Sequence, residues 1–234
     1  MSKINLPSVL TEKTHFYKEY ESELKPYLGR KYVSYSTCGS VLDYEEDFIK
    51  NKLLGIKSEG SVYVKLGSWF GEACETGVWP SKNPEGFTGK ENIDLSEIRK
   101  KGDEYEKLII IDRGEYIVVG FIDIWRKDSE GKVEIRDIKT GADKKVKEYQ
   151  SLEYTQVILY AYAEELKGEE IGYTGVEFFE RTGSHVKPPL NLSGKKIQVP
   201  LEYNEERVKY ALSKIDKAVE KISSLYTTYT KLFN

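Results

Sequence analysis

The chain has 234 residues, enough for one domain with an appendage and for a core that needs no disulfide or metal staple. Lysine and arginine total 36 against 39 acidic residues, a formal net charge of -3, which excludes a histone-like basic DNA coat but leaves room for local patches of charge. Two cysteines, Cys38 and Cys74, cannot complete a four-thiolate zinc or iron–sulfur site and are expected to be free buried thiols in a reducing compartment.

The opening residues MSKINLPSVLTEKTHFYKEY hold no apolar run of signal-peptide length, and no stretch of about 18 apolar residues follows anywhere. The expectation is a soluble cytoplasmic protein without a membrane span. Residues 1–30 show helical spacing at Phe16, Tyr20 and Leu24. Val41, Tyr44, Phe48 and Leu53 predict one helix over 40–56, and Leu66, Trp69, Phe70 and Cys74 another over 62–76. Pro80, Pro84 and several glycines make 77–106 a loop with one short helix near Leu95–Lys101. The period then changes to that of strands. Residues 106–112, 115–125 and 132–140 are β-branched and aromatic runs separated by turn residues, which predicts an antiparallel three-strand meander.

A helix is predicted over 151–167, with Ser151 as its cap, Tyr154 where a capping box has Glu, and Leu152, Gln156, Leu159, Tyr160 and Ala163 in one stripe. Residues 172–182 read as a strand and 195–203 as a further short one. Asn204 caps a closing amphipathic helix with Val208, Leu212, Ile215, Val219 and Ile222 inward. The fold class is α/β (α+β-like): a central mixed sheet containing the meander, flanked by helices. One domain is expected over 1–234, with an N-terminal helical part (1–60), a core (61–200) and a C-terminal helix (201–234).

Chemistry concentrates in the meander. One strand ends Gly120-Phe121-Ile122-Asp123, and the next runs Ile135-Arg136-Asp137-Ile138-Lys139-Thr140-Gly141. Asp123 and Asp137 are separated by a turn near Ser129–Gly131, so paired strands can bring them together. Asp137 and Lys139, two apart, share a strand face. A buried unpaired charge is costly, so two carboxylates and an ammonium among apolar strands need a reason. A cross-strand salt bridge on a wet face is one. A divalent metal, which takes carboxylate oxygens, is the other. Gly120 permits close approach of another backbone, and Gln156 and Tyr160 lie on one face of the next helix.

Taken in order, Gly120-x-x-Asp123, Asp137-x-Lys139-Thr140-Gly141 and Gln156-x-x-x-Tyr160 resemble the RecB-type branch of the PD-(D/E)XK nuclease superfamily, with its restriction-endonuclease-like core. Upstream, Val33-Ser34-Tyr35-Ser36 followed by Tyr44-Glu45-Glu46-Asp47-Phe48-Ile49 resembles the family's opening, and Gly67-Ser68-Trp69-Phe70-Gly71-Glu72-Ala73-Cys74-Glu75 resembles its first helical motif, G-x-x-x-H-x-x-x-E. Gly71 stands where many members have His or Glu. Glu75 keeps the last acid, and Glu72 lies one residue past the missing His. From the helix-face argument Glu75 is the better metal ligand, with Glu72 close behind.

The resemblance implies that Asp123, Asp137 and the Ile138 carbonyl bind one or two Mg2+ or Mn2+, and that Lys139 orients the attacking water or stabilises charge. It implies that Gln156 and Tyr160 position the substrate strand or brace the surroundings of Lys139. Lys144, Lys145, Lys147 and Arg181 are candidate phosphate contacts, and the tyrosines and tryptophans are candidate stacking platforms. No His/Cys metal set can be built from His15, His185 and the two cysteines, and no phosphate-binding glycine loop implies ATP. Members with an iron–sulfur cluster use four cysteines, so a relative here is a cluster-free one, similar to stand-alone phage exonucleases. The implied activity is a metal-dependent DNA exonuclease on single-stranded or resected ends in recombination, repair or replication. The implied partners are DNA and a single-strand-binding protein, recombinase or helicase. The alternatives are a DNA- or partner-binding module on a nuclease fold and a structure-specific endonuclease.

Overall fold

The structure, a computed structural model, describes residues 4–56 and 60–233. The expected boundary near residue 60 adjoins residues 57–59, which lie outside the described residues. In chain order, α1 (Glu21–Leu24) and a short 3-10 turn lead to β1 (Lys31–Ser34). The Ser34 hydroxyl accepts the Thr37 N–H at 3.2 Å and so starts α2 (Tyr35–Asp43). That helix stops at Tyr44, whose φ of -140° and ψ of 57° break the ladder. The chain restarts as α3 (Glu45–Phe48), which runs into a π turn at Ile49–Leu53. The single helix expected over 40–56 is therefore three pieces. Glu45, Glu46 and Asp47 sit in a fresh first turn, where carboxylates face unbonded N–H groups, and Tyr44 points outward, 67% exposed.

Ser61 caps α4 (Val62–Thr76) and Gly77, in the left-handed region, closes it, over the span that the spacing predicts. After α5 (Leu95–Ile98) come β2 (Glu104–Asp112), β3 (Tyr116–Lys127) and β4 (Val133–Gly141), which are the three runs of the expected meander. Two short helical turns, the second being α6 (Val146–Gln150), precede α7 (Gln156–Glu165). The helix predicted from 151 thus starts five residues later. Ser151 closes α6 instead of capping α7, its hydroxyl donating to the Glu148 carbonyl at 2.7 Å, and Leu152 is exposed. Then β5 (Ile171–Ser184) and β6 (Lys187–Pro200) form a hairpin of two 14-residue strands, so β6 begins eight residues before the expected 195. Asn204 accepts the Arg207 N–H at 2.9 Å at the start of α8 (Glu205–Phe233), as its position predicts.

The sheet is mixed. Its order is β1-β3-β4-β5-β6, with β2 also on β3. The β1–β3 and β4–β5 pairs are parallel, and the β3–β4 and β5–β6 pairs antiparallel. The chain folds as two compact units. The first draws on Met1–Ser58, Leu108–Phe121 and Lys209–Asn234. Its core gathers Leu10, Phe16, Tyr17, Leu24, Leu108, Ile117 and Val119. There Phe16 is delivered by turns rather than a helix, and packs edge-on against Tyr32 and Phe121. Asp216 on α8 accepts from Arg113 at 2.8 Å and from Tyr116 at 2.6 Å, which ties α8 to β3.

The second unit comprises Glu59–Lys107 and Ile122–Val208. Its core sets Leu66, Phe70 and Cys74 of α4 against Ile124, Phe179 and Leu192. Ile138 packs against the same cluster. The opposite face of β3 carries Trp125, whose Nε1–H donates to Glu164 of α7 at 2.8 Å beneath the Lys107 ammonium, 3.3 Å above the ring. Buried Val157, Ile158, Leu159 and Ala161 hold α7 in place.

Candidate active site

Alternation along the strands decides which side chains meet. Ile124 and Ile138 point into the core beneath α4, so Asp123, Asp137 and Lys139 at the intervening positions point to the other face. The register puts Ile124 opposite Arg136, one step from an Asp123–Asp137 pairing. Asp123 Oδ2 accepts the Ile138 N–H at 2.6 Å, a charge-assisted bond that fixes one carboxylate on the neighbouring strand. Asp137 is fully buried. Its Oδ2 takes Lys139 Nζ at 2.5 Å and the Tyr154 hydroxyl at 2.7 Å. Its Oδ1 is buried and has no hydrogen-bond partner.

The electrostatics follow from this packing. Burial pushes the Asp123 carboxyl well above the usual carboxylate range, and the Asp137 charge adds to it, while Lys139 and the Ile138 N–H oppose the shift. For Lys139 burial disfavours the ammonium, but Asp137 and Asp123 outweigh it, so the lysine is held protonated above its ordinary value. Tyr160 is raised by burial and then by the Asp137 charge. Gln156 Nε2 donates to the Tyr160 hydroxyl at 3.0 Å, and the Tyr154 hydroxyl lies 3.4 Å from Gln156 Oε1. Gly141, the last residue of β4, leaves room for the Phe178 ring, which a side chain there would meet at 2.9 Å.

Five expected residues therefore come together: Asp123, Asp137, Lys139, Gln156 and Tyr160, with Ile138 supplying backbone beside them. Glu72 and Glu75 do not join them. Both are exposed, on a helix that covers the opposite face of the strands. Glu72 lines a separate cavity of about 560 Å3 with Lys65, Trp69, Pro80 and Lys82. Among the described residues no three His, Cys, Asp or Glu side chains gather closely enough to hold an ion. The spacing rule placed Glu75 on the face of Gly67 and Gly71, but the buried stripe that docks α4 runs through Leu66, Phe70 and Cys74, and this turns Glu75 away.

Of the expected phosphate contacts, Lys144 and Lys147 are exposed in the turns after β4. Lys145 pairs with Glu148 at 2.6 Å. Arg181 lies 4.0 Å above the Tyr63 ring on the β5–β6 hairpin.

Two residues at the site have no counterpart in the sequence reading. Tyr154, expected as a capping-box partner, reaches Asp137 instead. Its ring is braced edge-on by Tyr149, 5.1 Å between centroids. The available signal was an aromatic two residues before Gln156. Glu106 on β2 adopts φ of 50°, and its charge bears on Asp123. A non-glycine residue in that region marks a constrained backbone, which no sequence pattern announces.

The residues present suit a divalent cation. The donors are carboxylate and carbonyl oxygens, as Mg2+ and Mn2+ prefer, and the open Oδ1 of a buried carboxylate is the atom such an ion would satisfy.

No curated protein matches the sequence. A solved structure of a candidate exonuclease from Eubacterium rectale is similar over 95% of this chain and 88% of that one, with a TM-score of 0.58 and 16% identity, a likeness of fold. A phage-related exonuclease from Haemophilus somnus aligns over 99% and 93% at a TM-score of 0.48 and 15% identity. The sequence profile of one family matches residues 80–229, which hold every member of the cluster around Asp137. The chain belongs to the PD-(D/E)XK nuclease superfamily.

Proposed function

We propose that the protein is a metal-dependent deoxyribonuclease of the RecB-type branch, an exonuclease that hydrolyses phosphodiester bonds at single-stranded or resected DNA ends in recombination, repair or replication. The observation that carries the reading is Asp137: a fully buried carboxylate with one oxygen accepting two hydrogen bonds and the other open, beside a second carboxylate and a protonated lysine. Asp123, Asp137 and the Ile138 carbonyl would hold one or two Mg2+ or Mn2+. Bound there, the metal supplies a more acidic water and neutralises phosphate charge.

The chain's own residues do the rest. Lys139, kept protonated by its two carboxylate neighbours, meets negative charge developing on the phosphate. Gln156 and Tyr160 form a hydrogen-bonded pair that aligns the strand to be cut. Lys144 and Lys147 contact flanking phosphates, so affinity falls steeply with salt. DNA, together with a single-strand-binding protein, recombinase or helicase that delivers it, is the proposed partner, and the cytoplasm the proposed place. No helix among the described residues is long and apolar enough to cross a membrane.

The exposed positions of Glu72 and Glu75 favour one competing reading, a module that holds DNA without cutting it. End-labelled single-stranded DNA incubated with Mn2+ or Mg2+ decides. Wild type should release nucleotides, and Asp137→Asn with Lys139→Ala should not. Equal behaviour of the two sinks the nuclease assignment. Opening of circular single-stranded DNA would replace the exonuclease with an endonuclease.

A further inference from the structure

Asp137 is not held by its own strand alone. A carboxylate on a sheet can rotate about its terminal bond and present either oxygen, and a metal or water ligand needs one orientation. Here Oδ2 is taken twice. Lys139 Nζ bonds it from the same strand at 2.5 Å, and Tyr154 OH bonds it from the turn before α7 at 2.7 Å. The two donors differ. Lys139 is a mobile point charge that is 29% exposed and can swing toward a phosphate. Tyr154 is a rigid ring braced by Tyr149, which itself packs on Phe178 of β5 at 5.9 Å. When the lysine turns to its substrate, the tyrosine remains the contact that keeps Oδ2 occupied. The same hydroxyl lies 3.4 Å from Gln156 Oε1, and Gln156 in turn donates to Tyr160. The phenol that holds the acid on β4 thus lies beside the helix that carries the Gln156–Tyr160 pair.

We propose that Tyr154 is a positioning residue: its hydroxyl locks Asp137 through Oδ2, so that the buried, unpartnered Oδ1 is the oxygen offered to a divalent cation. The assignment rests on the nuclease reading only in naming the cation. It also accounts for the late start of α7, because residues 151–155 must turn for the Tyr154 ring to reach β4. Hydrogen-bonded partners of a ligating carboxylate commonly change metal affinity or activity about 10- to 100-fold when removed.

The test is Tyr154→Phe, which keeps the ring and its packing on Tyr149 and deletes only the hydroxyl. Mn2+ alone, titrated into wild type and variant without DNA and followed by the loss of free-ion EPR signal, should show Mn2+ binding weakened by about 10-fold or more. The melting temperature should stay within a few degrees. With DNA present, kcat should fall while KM for DNA holds. Unchanged Mn2+ affinity in the folded variant overturns the proposal, whether or not the melting temperature drops, because a purely structural tyrosine would move only the latter. Failure of wild type to bind Mn2+ overturns it too. If wild type binds Mn2+ but cuts no DNA, the nuclease reading falls, while Tyr154 is still judged on the affinity ratio.

Discussion

Two carboxylates of the same unit are equally hidden from water and differently furnished. Glu164, 1% exposed near the end of α7, has both oxygens engaged: Trp125 Nε1–H at 2.8 Å and Lys107 at 3.7 Å on one, Lys167 at 2.5 Å on the other. Asp137, 0% exposed on β4, has two donors crowded on one oxygen and none on the other. Burial alone does not distinguish them, and neither does the presence of a lysine. The difference is completeness. A carboxylate that stabilises the fold closes its hydrogen-bonding inventory, whereas one kept for a ligand leaves a vacancy whose desolvation the fold must bear.

Substitutions at the two sites should separate these roles. The largest effect is expected at Asp137. Asp137→Asn should lower DNA hydrolysis by about three orders of magnitude, the loss of several kcal/mol of transition-state stabilisation, with little change in urea midpoint. Full activity in that variant would erase the contrast.

Next in size, Glu164→Ala should destabilise the protein by about 2–3 kcal/mol in urea unfolding, because it leaves the buried Trp125 N–H without its acceptor, whereas Lys107 keeps Glu104 at 3.3 Å. Lys167, which reaches water, limits the penalty. Turnover per folded molecule should hold. A stable Glu164→Ala protein with lost turnover would show that both acids serve the site.

A third measurement sharpens the comparison from the ligand side. Mn2+ at about a hundred times its dissociation constant should stabilise wild type by about 2.7 kcal/mol, a rise of about 5–10 °C in melting temperature. It should leave Asp137→Asn unmoved and should still protect Glu164→Ala.

A last measurement leaves the carboxylates and leaves both stability and turnover untouched, because it reads buried thiols. Burial pushes the Cys38 and Cys74 thiols up to about 12, with the Asp123 charge adding to Cys74. The thiolate is the reactive form, and a raised pKa leaves little of it until pH climbs toward that value. At pH 8 both should react with a thiol reagent on the order of a thousandfold more slowly than an ordinary cysteine, and at normal rates after denaturation. Fast labelling of the folded protein would mean that this part of the interior opens.

Much of the site was legible because its parts are local. Gly120 to Asp123 and Asp137 to Gly141 lie on strands whose alternation fixes the facing of each side chain, and the four-residue step from Gln156 to Tyr160 fixes theirs on a helix. The α4 span was equally plain from the stripe of Leu66, Trp69, Phe70 and Cys74. What failed depended on contacts made elsewhere in the chain. Ser151 looked like a helix cap, but Tyr154 bonds Asp137, seventeen residues before it, and α7 begins only at Gln156. The 40–56 stripe scored well as one helix, although the acidic run at Glu45 suits a new helix start better than a helix middle. Glu75 matched a motif position, but which face of α4 docks is set by how Phe70 meets Phe179, 4.7 Å away on β5. The first half of β6 went unseen because its pairing with the tip of β5 needs no apolar alternation.

The indole of Trp125 sits two residues from Asp123 on the same face of β3, with an anion at its N–H and a cation on its ring. An emitter in so polarised a pocket reports by colour. Loosening of the α7 seam should change the field at the chromophore, and rearrangement next door at Asp123 should do so more faintly. With Trp69 and Trp79 replaced by Phe, the chain would carry an optical gauge of β3, readable without dye or label.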